Sequence, residues 1–462
     1  MRSSSGSQTT EAVGLGDVCV FLVSADHDAY RANPTMVMRR QLACVALASS
    51  LWAWTAAAAE ITRVASSFEE KDPFGMLLNF TFDRAWDRGK ITREWYQEGG
   101  LTDVTELNYA RDETRLGIDM HVGIFRDVEF HIGVPIVFQQ DRQWTFAAGT
   151  TAANSTLFRN CGDARGTPCA TPGAGDGRLF EVGTDGRTTY RGGLGDFTFG
   201  LAWNVFNQAK DDTKPTWTLR IDYTAPTASV LNPSLETTSG RRGNIGDRVH
   251  RYQFVTALSR RLGEYFEPYF SVSYTLPWVG PGAYSNCADP SDLRMARAEN
   301  CGQAPWTFAE TRVRPAHVGL VSFGNEIIAF ERPDRFQRVV VDLRAFLQYT
   351  SEGRYYNEMS DLLGKLLFNS DYGTVGGQLG FAGQAAEFVM LRASASLGYQ
   401  TERYLTLETV GRDENANGTI DVASNPIELN PNYDFRIDRA GRRFRMQEQV
   451  VFRVMVTATL NF

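Results

Sequence analysis

After residue 59 the sequence has no run of about 20 apolar residues, which excludes a helical membrane span from that region. Excess positive charge is absent too. Lysine and arginine number 47 against 54 aspartates and glutamates, giving a net charge of -7 and no basic stripe for nucleic acid. The chain is poor in histidine, with 5, and in cysteine, with 6. No C-x-x-C spacing with a nearby histidine marks a cysteine-bound zinc, and no G-x-S-x-G elbow marks a hydrolase.

By composition the remainder resembles a soluble protein, with 43% hydrophobic residues, 22% charged residues and a mean hydropathy of -0.29. A transmembrane β-barrel has the same averages, because lipid-facing apolar and lumen-facing polar residues alternate along each strand. Its other needs are well supplied. The 29 Phe, 17 Tyr and 9 Trp suit interfacial girdles, and the 42 Gly suit crowded lumenal positions.

The start reads as targeting sequence. Met38-Arg39-Arg40 is a basic n-region, 41–55 an apolar h-region, and Ala56-Ala57-Ala58-Ala59 before Glu60 an A-x-A cleavage site. The flanks of Arg39-Arg40 do not fit a twin-arginine signal, and Cys44 lies too far from the cleavage site to be lipidated. The expected division is 1–35 as an over-called gene start, 36–59 as signal peptide, 60–72 as a periplasmic segment and 73–462 as barrel. Export agrees with the cysteines: Cys161/Cys169 and Cys287/Cys301 are close pairs in Gly/Pro/Asp/Asn-rich segments, expected as disulfides stapling exposed loops.

The end of the chain carries the sharpest signal. Val450, Phe452, Val454, Val456, Ala458, Leu460 and Phe462 occupy every second position, the period of a strand with one lipid-facing side. A terminal aromatic in that register resembles the signature read by the barrel-assembly machinery of bacterial outer membranes. Similar alternation recurs at 76–82, 116–124, 128–138, 197–205, 217–223, 252–258, 266–278, 339–349 and 389–399, with 317–330 ambiguous in facing and 378–384 weak. The expectation is an all-β, antiparallel, up-and-down transmembrane barrel of about twelve strands in outer-membrane lipid. Short periplasmic turns (125–127, 208–214, 260–264, 331–335, 385–387) alternate with long extracellular loops (87–113, 142–193, 226–246, 279–312, 351–376, 401–443).

Lumen-facing positions of both charge signs are expected at Asp83, Arg115, Asp119, Glu129, Asp196, Arg220, Asp222, Arg251, Glu267, Arg338, Asp342, Arg344, Arg392 and Arg453, with His121 and His131. That mixture is not a single-sign selectivity ring. A three-residue link Phe125-Arg126-Asp127, with Ile124 facing Val128, places His121 opposite His131. Such a pair can be ordinary lumenal polar residues, a metal site or a pH sensor. Asp413, Asn415, Asn417, Thr419 and Asp421 follow the opening of an EF-hand-like calcium loop, although Ser424 stands where a bidentate acid belongs. In 357–368, Met359, Leu362, Leu363, Leu366 and Leu367 share a helical face, readable as a lid or as a loop helix packed on its neighbours. A lipid-hydrolysing barrel would need an outer-wall Ser–His pair, and His317 has no matching serine, so no enzyme is expected.

Arg191-Gly192-Gly193-Leu194-Gly195-Asp196-Phe197-Thr198-Phe199-Gly200-Leu201, and the hairpin 117–138 with Gly133-Val134-Pro135, resemble the MetA-pathway phenol-degradation transporter family over about a quarter of the chain after the signal. The resemblance implies passage of small, often aromatic or hydrophobic solutes and supplies no catalytic residues. The expected function is a passive outer-membrane channel; the alternative is a non-conducting surface barrel acting through its stapled, calcium-binding loops.

Overall fold

Period-two alternation buries one face of a strand only if the sheet curls so that its polar faces meet, and twelve strands here do so. The computed structural model describes residues 59–65, 75–97, 100–152, 154–158, 179–288, 298–302, 304–332, 335–386 and 388–462. In chain order the strands are β1 Met76–Gln97, β2 Gly100–Phe125, β3 Val128–Phe146, β4 Arg187–Leu194, β5 Phe197–Phe206, β6 Thr216–Ala225, β7 Val249–Ser259 and β8 Phe266–Val279. They continue as β9 Val318–Arg332, β10 Gln337–Thr350, β11 Gly353–Tyr355, β12 Leu367–Asn369, β13 Tyr372–Ala386, β14 Val389–Gln400, β15 Arg403–Tyr404 and β16 Phe444–Asn461. All neighbours in the wall are antiparallel, and β1 pairs with β16 to close a 12-strand barrel. β4 and β15 add to the outer reaches of β3 and β16, while β11 and β12 form a separate hairpin.

The closing pair follows the C-terminal pattern. Leu77 to Arg88 run against Asn461 to Val450 without a break, and the Met76 and Phe462 backbones exchange bonds of 2.9 and 3.1 Å. Phe452, Val456 and Phe462 are exposed to the lipid side, as are Phe82, Leu201, Ile221, Phe323, Leu343, Leu379 and Leu397 around the wall. This apolar belt, on a closed barrel with no sheet edge, makes the chain an outer-membrane β-barrel.

Several expectations need correction. The stretch 87–113 is not a loop: β1 and β2 are 22 and 26 residues long and run to a hairpin at 97–100. A bilayer needs about 9–11 strand residues, so this ribbon rises beyond it, where polar residues replace the apolar alternation. The β2–β3 link is shorter than expected, because Phe125 pairs with Val128 and Ile124 is bulged out. The ambiguous facing of β9 also has a cause. A register shift between Val339 and Val340 flips parity, so Ile328 is buried while Phe330 faces out. Only Ser360–Leu363 of the expected helix is helical; it ends at Gly364, in the left-handed region at φ 67°.

Cys287 and Cys301 form a disulfide in an outer loop. Cys161 and Cys169 lie outside the described residues.

Candidate functional site

The short-turn end of the lumen contains a segment that strand patterning could not anticipate. Residues 59–65 touch the inner ends of seven strands, which is possible only from inside the ring. Their backbone N–H groups donate to carboxylates: Ala59 to Glu267, Glu60 to Glu326 at 2.9 Å, and Ala65 to Glu129 at 2.6 Å. The Thr62 hydroxyl lies 2.8 Å from the Ser259 hydroxyl, and the Thr62 carbonyl accepts from Thr218 at 3.0 Å. Glu60 pairs with Arg392 at 3.1 Å, and Arg63 donates to Asn461 at 3.3 Å. Glu60, Arg63 and Glu326 were missed because the first two precede the strands and the third lies on the strand of ambiguous facing.

The expected lumen charges pair with one another, some across strands and some along one strand. Arg115 and Arg453 flank Asp83 at 2.5 and 3.6 Å, Arg338 lies 3.9 Å from Glu267, and Arg344 3.4 Å from Asp342. Arg392 also reaches Glu326 at 3.7 Å, and Arg251 pairs with Asp247. Asp196 instead accepts the Ala228 N–H at 2.9 Å.

The histidine pair forms as expected. His121 and His131 are register partners, with ring centroids 5.2 Å apart. Glu129 Oε1 lies 2.6 Å from His121 Nδ1 and 3.6 Å from His131 Nδ1. His131 Nε2 lies 2.8 Å from Asp222 Oδ1, whose other oxygen is 3.1 Å from Arg220. Asp222 reaches the imidazole because Gly200 separates them in register. A Cβ there would stand 2.3 Å from the imidazole and 2.4 Å from the carboxylate. Gly133 similarly leaves room for Asp119. A cavity of about 120 Å³ opens beside this cluster, lined among others by Glu60, Arg63, His121, Glu129, Arg220 and Thr459. Its size admits several waters or a small solute.

The long-loop end is closed differently. Met359, Leu362, Leu363 and Leu367 face inward and join Ile91, Leu107, Tyr109, Trp144, Leu405, Ile437 and Phe444 in one buried apolar core. Arg191 and Asp361, both nearly inaccessible, pair at 2.5 Å within it, Arg403 meets Glu358 at 2.7 Å, and Arg354 pairs with Glu408. The amphipathic segment is thus packed onto its neighbours. The charges of Arg142 and Arg191 hold the Asp361 carboxyl below its ordinary range against the opposing effect of burial, whereas burial pushes Asp438 up to about 7.

The calcium-like segment is an exposed turn. Asp413 accepts from the Asn417 and Gly418 N–H groups, Asn415 from Asn417, Asn417 from Thr419, and Asp421 from Ala423 and Ser424. These oxygens serve the turn itself. His317 is exposed, and its Nδ1 lies 2.8 Å from the Tyr274 hydroxyl.

No family model matches the chain, and no curated protein does. Solved structures resemble it at low identity. The Escherichia coli outer membrane protease OmpT is 7% identical, covering 84% of this chain and 97% of that one at a TM-score of 0.27. A Pseudomonas aeruginosa FadL homologue is 10% identical, covering 84% and 90% at 0.34. The CymD monoaromatic hydrocarbon channel is 10% identical, covering 84% and 88% at 0.27.

Proposed function

We propose that this barrel is a gated passage for small molecules across the outer membrane, resting closed. The observation that carries the reading is the nature of the inner closure. Residues 59–65 are held mainly by hydrogen bonds and one ion pair beside a polar cavity, and water can replace such contacts at a net cost of about 0.5–1.5 kcal/mol for the neutral bonds and about 1.5–3 kcal/mol for those to carboxylates. A peptide attached in this way can leave the lumen without unfolding the wall. The similarity of 191–201 and 117–138 to the MetA-pathway transporter family supports small aromatic or hydrophobic solutes as cargo.

A second reading has its own support. The outer cap has a packed apolar core and buried ion pairs, which suits a non-conducting barrel acting through its loops. Conductance in planar bilayers separates the two, using the full chain and a variant lacking residues 60–65. A passage gives open-channel steps that become more frequent in the deletion. Silence from both proteins, with no solute entry in a liposome-swelling assay, rejects the passage and leaves the surface barrel. If that barrel binds calcium through 413–421, millimolar calcium protects this turn from proteolysis.

A further inference from the structure

We propose that His121, Glu129 and His131 form a site for a divalent transition metal, with Zn(II) as the reference ion. Their ligand-capable atoms all lie within 4.8 Å of one another, on the lumenal face of adjacent strands. Zinc accepts this donor set, with bonds of about 2.0–2.1 Å to imidazole nitrogen and about 2.0–2.2 Å to carboxylate oxygen. Two imidazoles and one carboxylate leave a fourth position open, and a cavity lined by two of the three residues, His121 and Glu129, opens beside them.

A second observation points to a ligand. His131 is 7% exposed, and its Nδ1 is buried with no hydrogen-bond partner. An unfilled buried acceptor is costly, by about 1–3 kcal/mol. Asp222 Oδ1 meets Nε2 at 2.8 Å without hydrogen-bond alignment, and the charge of the carboxylate favours the tautomer protonated there, which turns the Nδ1 lone pair toward Glu129 and His121. A carboxylate behind a ligating histidine is the usual support for an imidazole–metal bond. Glu129 is steadied in turn by the Ala65 N–H on its other oxygen. The nearby cations are directed elsewhere: Arg220 to Asp222 and Arg63 to Asn461. Four coupled choices converge here, namely the hairpin register, the Glu129–His131 spacing, Gly200 and Asp222.

The test does not depend on transport. Full-length protein stripped with chelator and refolded in detergent is titrated with Zn(II) by calorimetry, and with Co(II) by visible absorption. One ion per chain is expected, with a tetrahedral Co(II) spectrum. His121→Gln and His131→Gln should each abolish saturable binding. Asp222→Asn should weaken it about 10–100-fold while keeping the stoichiometry. His317→Gln, on the outer wall, should change nothing. Absence of Co(II) bands in the native protein overturns the proposal, as does unchanged binding in the double histidine variant. Should a variant fail to show heat-modifiable barrel migration, the native Co(II) spectrum alone decides.

A separate cluster carries a second inference: the geometry points to the mature α-amine of Glu60 as the ion that completes the inner closure. Glu60, Glu267 and Glu326 meet there with Arg392 and Arg338, and the charges of Arg63 and Arg344 also reach Glu60. Glu267 is fully buried, and its Oε2 accepts no hydrogen bond. Hydrolysis at the expected signal site adds water across the Ala59–Glu60 amide, leaving an ammonium on Glu60 and a carboxylate on the departing Ala59, whose N–H bond to Glu267 is lost with it. That nitrogen already lies 2.9 Å from Glu326. This inference concerns the same closure as the passage reading, but its readout is chemical. The N-terminal peptide of exported protein should begin at Glu60, and its amine should resist reductive methylation in the folded barrel but not after denaturation. Glu267→Gln and Glu326→Gln should restore labelling. A different first residue, or equal labelling of folded and denatured protein, overturns it.

Discussion

The two ends of the lumen are closed by opposite physical means. At the short-turn end, a few residues of extended peptide and one helical turn hang on carboxylates, hydroxyls and an arginine. At the long-loop end, the β1–β2 ribbon and segments from three long connections share an apolar core within which ion pairs are sealed. Polar attachments trade against water and are individually weak, whereas apolar burial and sealed charges lose heavily when opened. The inner closure is therefore the end suited to movement, and the outer cap the end suited to permanence.

The most severe way to break this contrast is to strip one partner from the sealed pair. Arg191→Met removes the ion partner in contact with Asp361, which is 4% exposed and keeps only hydroxyl donors and the more remote charge of Arg142, and should cost the cap up to roughly 3–5 kcal/mol, read as faster proteolysis and hydrogen exchange of 353–369. Adding Asp361→Leu should recover most of that loss. A single variant no worse than an exposed ion pair would mean that the cap is not sealed. Next, Leu362→Ala should cost about 2–5 kcal/mol by the same readout, because the vacated volume lies in a packed core.

The cap should also respond to pH. Asp438 has its carboxyl raised from 3.8 to about 7 by burial. The folded state binds the extra proton, so cap stability is highest below the unfolded value and falls as pH rises through about 4 to 7. Asp361 and Glu358 are held below their ordinary values and oppose this only at lower pH, where their protonation costs stability. Corrected for base catalysis of exchange, the protection of 434–442 should therefore fall between about pH 4 and pH 7, the span of this shift. Asp438→Asn should flatten that profile; an unchanged slope would remove Asp438 as its source. The smallest effect belongs to the inner end. Thr62→Ala removes hydroxyl contacts and should loosen the segment by about 0.5–1.5 kcal/mol, leaving cap exchange untouched. If Thr62→Ala also destabilised the cap, the two closures would not be independent.

Legibility in the sequence follows the range of the force involved. The wall was readable because one lipid-facing side forces period two on each strand, and the His121–His131 pairing because a short hairpin fixes register. Even there the bulge at Ile124 was invisible, since extra residues in a strand leave no mark in composition. The ribbon at 87–113 resembles a loop in sequence because outside the bilayer nothing demands apolar alternation. The stripe from Met359 to Leu367 showed that a face would be buried but not what would cover it. Asp222 is expected in the lumen from its register, yet its approach to His131 depends on Gly200, one strand away from each.

By itself, the sequence determined the closed wall, its outward apolar belt and the short-turn and long-loop ends, because these follow from burial acting on each strand separately. Only the tertiary structure decided what fills the ring. The lodging of residues 59–65, the approach of Asp222 to His131 across Gly200, and the sealing of Asp361 beneath the loops all join segments far apart in the chain. Their partners are set by three-dimensional proximity, which no local periodicity encodes.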